Sequence, residues 1–299
     1  MSGERIRDEI FSFWRERRPA VLIFVVFLLG LNFLVWSRIA GSTDGDLNLE
    51  IYALAVGQGD SQLIRLPGGP KLLIDGGPPN GQLLAALSRV LPANDRRIDL
   101  VMISHPQLDH FGGLVELLER YEIGLVLTNG QESDQAAYRE LKERAAEKNI
   151  NFLDLAQSDV VSYRDSRLNI LWPQAGVVSA KNPNDDALVA ALTSNDAVSL
   201  FTADIPAAVE RKIVSFFKEP VDILKVAHHG SKNSSAAGFL ASIRPKLALI
   251  GVGKNSYGHP APATLKNLTD AGVAIYRTDN DGTVKLVVGG GKLKVFKGL

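Results

Sequence analysis

The sequence predicts a layered α/β domain that follows one N-terminal apolar helix. Hydrophobic residues make up 45% of the 299 residues and charged residues 22%, which is sufficient for a sizeable core. From Leu47 onward, short β-like apolar runs alternate with amphipathic helical segments, and Gly and Pro mark the turns between them. An isolated apolar run over residues 20–36 precedes this pattern. We therefore expect one α/β (α+β) domain over residues 47–299.

The order of the predicted elements suits packed layers, because meandering strands give way to strand–helix units. The expected strands cover residues 47–56, 62–66, 71–74, 98–103, 125–127, 168–172, 188–192, 198–201, 223–226, 247–252, 274–276 and 284–288. The expected helices cover residues 81–91, 111–121, 133–148, 206–217, 236–243 and 263–271.

The apolar run 20–36 is long enough to predict a membrane span. At a rise of about 1.5 Å per residue it would extend about 26 Å, close to the thickness of the hydrocarbon core. Arginines concentrate before it, so the positive-inside rule places the N-terminus in the cytoplasm. A cleaved signal peptide is the alternative, but Arg38 would occupy position −3 of a cleavage site after Ala40. A buried globular helix is a further alternative.

The preferred interpretation is an uncleaved, single-pass signal anchor in the cell membrane. It divides the chain into a cytoplasmic segment over 1–18, the anchor over 19–37, a polar linker over 38–46 and an extracytoplasmic domain over 47–299.

Charge and cysteine content exclude some classes of site. Lys plus Arg and Asp plus Glu number 33 each, so the chain lacks the basic excess of a strong non-specific nucleic-acid binder. There is no cysteine, which excludes disulfides and thiolate metal ligands. Any metal must therefore be held by His, Asp, Glu or neutral oxygen atoms.

The histidines fall in three short segments, and each segment follows a β-like apolar run. Asp204 follows a fourth such run. Because the carboxyl ends of parallel strands meet at one edge of a sheet, side chains from these segments are expected to converge there. Imidazole and carboxylate are suitable ligands for zinc, manganese or iron. The five histidines are His105, His110, His228, His229 and His259.

Each segment also has a simpler interpretation. Asp109 suits a helix N-cap, Asp204 a turn, and His259 a loop residue bonded to backbone. The presence of all the segments together favours a site. The adjacent His228 and His229 point in different directions, so one can bind a metal while the other contacts substrate or donates a proton.

The motifs VGQGDS, LLIDGG, HPQLDHFGG, TAD, LKVAHHGS, YGHP and YRTDNDGT follow one another along the chain. In this order they resemble the metallo-β-lactamase-like domain of the ComEC family of DNA-internalisation competence proteins, and the resemblance covers residues 47 to about 288. The resemblance implies a four-layer αββα sandwich with a metal site at one edge. It also implies a hydrolase acting on phosphodiesters, including DNA during uptake. One helix stands in place of the multi-helix channel region of that family, so a separate membrane pore protein is a candidate partner.

Departures from the superfamily pattern affect the expected metal count. Gln107 replaces the second His of the His-x-His-x-Asp-His motif, and no His occurs between His110 and His228 to serve as the third motif. Asn184-Asp185-Asp186 lies where that motif should fall. We expect one firmly bound zinc or manganese ion and a weak second ion through His105 and Asp204. The expected ligands of the firm ion are Asp109, His110, Asp204 and one of His228 and His229.

The leading hypothesis is hydrolysis by a metal-activated water that attacks phosphorus. Asp109 and Asp204 would serve this water, and His228 or His259 would protonate the leaving oxygen or bind the other phosphate oxygens. An ester or lactone hydrolase and a degenerate, non-catalytic binding module are the alternatives. The candidate substrate-binding residues are Ser231, Lys232, Asn233, Tyr257 and His259. Ser231, Asn233 and Ser234 could donate hydrogen bonds to an anion at the start of the following helix, or serve as ordinary N-caps. Lys225, Lys232 and Lys254 could attract phosphate, although solvated surface lysines are the simpler interpretation.

Overall fold

The structure, a computed structural model, describes residues 19, 21–34, 36, 47–176 and 182–299. The chain divides into two units, Met1–Leu47 and Asn48–Leu299. In the first unit, residues 21–34 form helix α1, whose large apolar side chains are exposed.

Within these described ranges, none of the helices combines the length and the apolar character that crossing a membrane requires. The structure therefore does not support the single-pass anchor expected over 19–37. The expected segment 1–18 and the linker 38–46 lie outside the described residues.

Two mixed β-sheets form the centre of the second unit. The first sheet has the strand order β15-β14-β1-β2-β3-β4-β5-β6, and the second has the order β13-β12-β11-β10-β9-β8-β7. The strands are β1 (Leu49–Ala53), β2 (Gln62–Arg65), β3 (Lys71–Ile74), β4 (Arg97–Met102), β5 (Glu122–Thr128), β6 (Phe152–Asp154), β7 (Val160–Tyr163), β8 (Ser166–Trp172), β9 (Val189–Ser194), β10 (Ala197–Phe201), β11 (Ile223–Lys225), β12 (Leu247–Ile250), β13 (Ala274–Arg277), β14 (Val284–Gly289) and β15 (Lys292–Phe296).

The helices alternate with the strands along the chain. Short 3₁₀ turns at Pro183–Asp186, Val214–Phe216 and Ala227–Gly230 accompany them. The α-helices of this unit are α2 (Gln82–Val90), α3 (Leu108–Arg120), α4 (Ala136–Glu147), α5 (Ala207–Ile213), α6 (Ala237–Ile243), α7 (Pro262–Asp270) and α8 (Thr278–Asp281).

Three apolar cores separate four layers. Helices α2, α3 and α4 pack their apolar faces on the first sheet, with Phe111 of α3 fully buried between them. Helices α5, α6 and α7 cover the second sheet in the same way, with Leu240 of α6 buried. A third core, which includes Ile51 and Leu286 of the first sheet and Leu168 of the second, joins the two sheets face to face. The order of layers is therefore αββα, as the resemblance implied.

The parallel half of each sheet determines where the site lies. Strands β3 to β6 run parallel in the first sheet, and strands β10 to β13 run parallel in the second. Parallel strands are covered by other layers on both faces, so their sequences are continuous apolar runs. The fully buried β12 is an example. The loops that leave the carboxyl ends of β3, β4, β10, β11 and β12 carry the candidate site residues.

The sequence prediction misses three strands and the short helix α8, and several of its element boundaries differ from those of the structure. Strands β6, β7 and β15 are short and lie at sheet edges, with side chains that are largely exposed or half-buried. They lack the buried apolar runs on which the other predictions depend. The first strand ends at Ala53 rather than at residue 56, and the helix expected over 206–217 changes to 3₁₀ geometry after Ile213.

Candidate metal centre

Strand ends and one helix start bring the candidate ligands together. Asp204 follows β10, and His229 lies in the 3₁₀ turn that follows β11. Asp109 and His110 occupy the first turn of α3, which begins directly after β4 and its loop. The carboxyl ends of the parallel strands therefore converge as the sequence predicted, although the residues come from both sheets.

Four side chains form the centre of this cluster. His110 Nε2 and His229 Nε2 each lie 3.4 Å from Asp204 Oδ2, and His229 Nε2 lies 3.2 Å from Asp109 Oδ2. His110, Asp204 and His229 are buried, whereas the Asp109 side chain keeps 36% of its exposure. These residues are among those expected at the firm metal position, and His229 Nε2 lies closer to Asp204 Oδ2 than His228 Nε2, which is 3.8 Å away.

Neighbouring groups orient both imidazoles. His110 Nδ1 donates to Asp75 Oδ2 at 2.8 Å, and Asp75 also accepts from the Ser104 backbone N–H and hydroxyl. His229 Nδ1 donates to the Gly251 carbonyl oxygen at 2.8 Å. Each ring therefore presents the lone pair of Nε2 to the cluster, which is how metal-binding imidazoles are commonly held.

The backbone around the second histidine segment is also constrained. His228 and His229 both have φ of 52°, in the left-handed region that side chains with a Cβ seldom adopt. Two consecutive residues in this conformation cost free energy that the surrounding structure must offset. The conformation separates the two rings, so that His229 faces the cluster while His228 lies one third exposed.

Unpartnered polar atoms test whether a divalent cation fits this cluster. Among the described residues, His110 Nε2 and Asp204 Oδ1 are buried without a hydrogen-bond partner, and such groups are costly unless something satisfies them. One potential ligand atom from each of Asp60, His110, Asp204 and His229 lies within 4.8 Å of the others. The nitrogen and oxygen donors suit zinc or manganese. The residues therefore fit a metal centre.

Carboxylates and imidazoles strongly perturb one another in this cluster. Burial lowers the pKa of His110, but the carboxylates of Asp204 and Asp75 outweigh burial and raise it well above its ordinary value. Burial raises the pKa of Asp204, but His229 and His110 hold it well below its usual range. Burial also raises the pKa of Asp109, but the hydrogen bond from His229 and the charges of His110 and His229 together lower it to about 2. Both carboxylates are therefore ionised at neutral pH and attract cations.

His105 lies beside the cluster, but its nitrogens face elsewhere. Its Nδ1 lies 2.9 Å from Ser104 Oγ, and its Nε2 lies 3.1 Å from Gln107 Oε1. Burial and the neighbouring charge of His110 lower the pKa of His105 to about 4, so the ring is neutral. The weak second ion expected from the sequence required nitrogen from His105 and oxygen from Asp204 at one metal position. The structure instead directs both His105 nitrogens to Ser104 and Gln107. Gln107, at the position of the missing His, holds the ring instead.

A cavity of about 620 Å³ opens over the cluster. His228 Nε2 lies 3.8 Å from Asp204 Oδ2 at its floor, and the His259 ring centroid lies 5.5 Å from that of His228. Burial lowers the pKa of both rings, so both are neutral at neutral pH. The lining side chains are Gln58, Pro78, Gln107, Leu108, Asp109, Asp204, His228, His229, Lys254, Asn255, Ser256, Tyr257 and His259.

The predicted substrate-binding residues separate into two groups. Tyr257 and His259 line the cavity, and the Tyr257 side chain is 74% exposed. Ser231, Lys232 and Asn233 are not among its lining residues. Ser231 is buried, and Lys232 and Asn233 are exposed.

The anion site expected at the start of α6 is already occupied by a side chain of the protein. The buried Glu210 carboxylate accepts hydrogen bonds from the backbone N–H groups of Ser235 and Ala236. Ser234 Oγ donates to the Ile205 carbonyl oxygen instead. Burial raises the pKa of Glu210 above its ordinary value, although the two N–H groups act to lower it.

Replacing Glu210 with Gln is expected to destabilise the fold by about 1–3 kcal/mol at neutral pH, where the ionised Glu210 accepts from both N–H groups and the NH₂ group of Gln would face one of them. The raised pKa means that Glu210 contributes fully below its ordinary value of 4.5 and loses that contribution as pH rises through the folded value. Glu210→Gln should therefore lose less stability than wild type between pH 4.5 and neutrality. Chemical denaturation at several pH values measures this, and parallel pH profiles would contradict it.

Sequence reasoning did not find the contacts of Asp60, Asp75 and Lys225. The motifs VGQGDS and LLIDGG drew attention to both aspartates without indicating their partners. The sequence allowed Lys225 to be a phosphate-attracting cation or a solvated surface lysine, but it is 1% exposed and forms an ion pair with Asp60. No local pattern signals this pair, since its members come from opposite sheets.

Similarity to known proteins identifies the family to which this chain belongs. The model of the Metallo-beta-lactamase superfamily matches residues 54–254, which is more than half of the chain. The chain belongs to this superfamily. The αββα layers and the histidine and aspartate cluster at the sheet edge agree with that assignment.

Proteins similar to this chain include a ComE operon protein and a competence protein. ComE operon protein 3 of Bacillus subtilis (strain 168) is 29% identical over 193 residues, which are 64% of this chain and 24% of that protein. Competence protein ComA of Neisseria gonorrhoeae is 27% identical over 258 residues, 81% of this chain and 33% of that protein. The ComEC resemblance is thus confirmed, while the chain spans only about a quarter to a third of the length of these relatives.

Solved structures show the same fold at low sequence identity. The metallo-beta-lactamase fold protein YhfI from Bacillus subtilis gives a TM-score of 0.53 at 12% identity, covering 78% of this chain and 98% of YhfI. CmlA, a diiron beta-hydroxylase from Streptomyces venezuelae, gives 0.54 at 15% identity, covering 81% of this chain and 54% of CmlA. At these identities the likeness concerns the fold alone.

Proposed function

We propose that the protein is a metal-dependent phosphodiesterase that acts on nucleic acid. The observation that carries this proposal is the cluster of Asp109, His110, Asp204 and His229, in which both imidazoles present Nε2 to shared carboxylates. The competence relatives support a nucleic-acid substrate, since their names concern competence and recombination.

These four residues would hold one zinc or manganese ion. When bound there, a divalent ion supplies a Lewis acid that makes water available as a nucleophile near neutral pH. The protein's contribution begins with Asp75 and the Gly251 carbonyl, which fix the tautomer of the two histidines. Asp109, the one partly exposed member, borders the cavity and can orient a water molecule toward the substrate.

Residues on the cavity side would bind the substrate and transfer the proton. His228 and His259 lie next to each other at the cavity. As neutral rings they can donate hydrogen bonds to phosphate oxygens, and either ring, once protonated, can deliver its proton to a leaving oxygen. Lys254 adds a positive charge at the cavity. The exposed Tyr257 ring, whose centroid lies 5.8 Å from that of His259, offers a surface on which a nucleobase can stack.

Membrane attachment is a further part of the proposal. The apolar side chains of α1 are exposed around the helix, as Leu22, Phe24 and Phe33 are, which would be costly in water. We propose that this segment attaches the chain to the cell membrane with the hydrolase domain outside, beside a separate pore protein during DNA uptake. Membrane fractionation with and without residues 1–46 tests the attachment.

The metal content of the purified full chain, together with its activity, tests the proposed chemistry. Wild type is expected to bind manganese or zinc and to hydrolyse thymidine 5′-p-nitrophenyl phosphate. Asp109→Asn should reduce kcat/KM at least about 100-fold, because it removes a carboxylate that faces both metal and cavity. Asp134→Asn, at an exposed position, is the matched control and should retain full activity. A wild type with neither metal nor hydrolysis would leave a binding module on a hydrolase fold.

A further inference from the structure

Lys225 is the most buried lysine near the metal centre, and its position is unusual for an ammonium group. It ends β11 and is 1% exposed. Its Nζ donates to the Ala203 carbonyl oxygen at 2.8 Å, forms an ion pair with Asp60 Oδ2 and lies 3.6 Å from Asp204 Oδ1. A buried cation of this kind requires compensating charges, and the two aspartates provide them.

The two oxygens of Asp204 therefore face different cations. Oδ2 lies 3.4 Å from both His110 Nε2 and His229 Nε2, on the side proposed for the metal. Among the described residues Oδ1 is buried without a hydrogen-bond partner, and Lys225 Nζ is the cation beside it. A carboxylate that bridged two metal ions with one oxygen each would need Oδ1 for the second ion. Here Lys225 already places a fixed positive charge beside that oxygen.

The other half of a second metal position is also occupied by protein contacts. Both ring nitrogens of His105 lie within hydrogen-bond distance of protein atoms, at Ser104 Oγ and at Gln107 Oε1. His105 and Asp204 are the two groups that the sequence left for a second ion. His105 contacts Gln107, and Asp204 contacts Lys225, so both groups already have a partner from the protein itself.

We infer that Lys225 is a positioning residue whose ammonium replaces the charge of a second metal ion at Asp204, so that the centre holds a single divalent ion. This inference rests on the proposed metal centre. The lysine neutralises Asp60 and the rear oxygen of Asp204 and keeps the front oxygen directed at His110 and His229. It also lowers the affinity of the cluster for a second cation by direct repulsion.

The test is a count of bound manganese by equilibrium dialysis and electron paramagnetic resonance, on the full chain. Wild type is expected to bind one ion. Lys225→Met removes the charge at nearly the same volume, and it should take up a second ion or hold the first at least about tenfold more tightly. Lys292→Met is the control, because Lys292 is an exposed lysine of β15 outside the cavity lining; it should bind one ion with wild-type affinity.

The number of bound ions tests the inference about Lys225 separately from the proposed metal centre. Two ions in wild type would overturn the inference and would favour a second site at His105 and Asn184, whose buried Oδ1 has no hydrogen-bond partner. A folded Lys225→Met with one ion held no more tightly than in wild type would also overturn it. Should Lys225→Met not fold, Lys225→Gln carries the same expectation, because it keeps a donor for the Ala203 carbonyl. No ion in wild type would contradict the proposed function itself.

Discussion

Replacing His229 with Ala is expected to weaken metal binding at least about 100-fold and to abolish measurable hydrolysis. His229 Nε2 lies within 3.4 Å of both Asp109 Oδ2 and Asp204 Oδ2, so its loss removes the nitrogen donor shared by the two carboxylates. Removing even a group that only orients a ligand typically costs 10–100-fold in affinity, and removing a ligand costs more. Isothermal titration with manganese, together with the phosphodiesterase assay, measures both effects.

His259→Ala is the matched comparison, since this ring borders the cavity and has no contact with the carboxylates of the cluster. It should bind metal with wild-type affinity and lose about 10²–10⁴-fold in kcat through the missing proton transfer. The two variants therefore separate metal binding from proton transfer. Equal loss of metal affinity in both variants would contradict this division of roles, as would a His229→Ala variant that binds metal normally.

Much of the site could be predicted from the sequence because its histidines and aspartates lie in short segments that follow strands. Asp109, His110, Asp204 and His229 converge because apolar β-runs precede them and because parallel strands end at one edge of a sheet. The choice between His228 and His229 could not be predicted. It depends on two consecutive left-handed backbone conformations, and periodicity does not reveal these.

The contacts that sequence reasoning missed are those between buried polar side chains from distant segments. Glu210 lies in the helix that the sequence predicts over 206–217, and nothing in that pattern shows that its carboxylate accepts hydrogen bonds at the start of α6. The sequence offered Lys225 as a phosphate-attracting cation or a solvated surface lysine, yet it is buried against Asp60 and Asp204. Charged residues are rarely buried unless they are paired. A single sequence does not show which distant partner will provide the pairing.

Gly113→Ala is expected to destabilise the protein by about 2–4 kcal/mol and to weaken metal binding together with stability. A Cβ on Gly113 would lie far inside contact distance of the Gly76 carbonyl oxygen and 3.2 Å from Leu83 Cβ. Because the obstructing atom belongs to the backbone, α3 must move away from the sheet. Asp109 and His110 lie in the first turn of that helix, so the movement displaces two proposed ligands. Denaturant titration and manganese affinity measure the two effects.

Gly238→Ala provides the control, because Gly238 also lies within a helix but a Cβ there would meet nothing within 4 Å. Alanine stabilises an open helical position by up to about 1 kcal/mol relative to glycine, so this variant should be at least as stable as wild type, with unchanged metal affinity. If Gly113→Ala instead matched Gly238→Ala, α3 would not need its close approach to the sheet. The glycine pair of HPQLDHFGG would then have no part in positioning the metal ligands, and the motif would serve the site only through its histidines and Asp109.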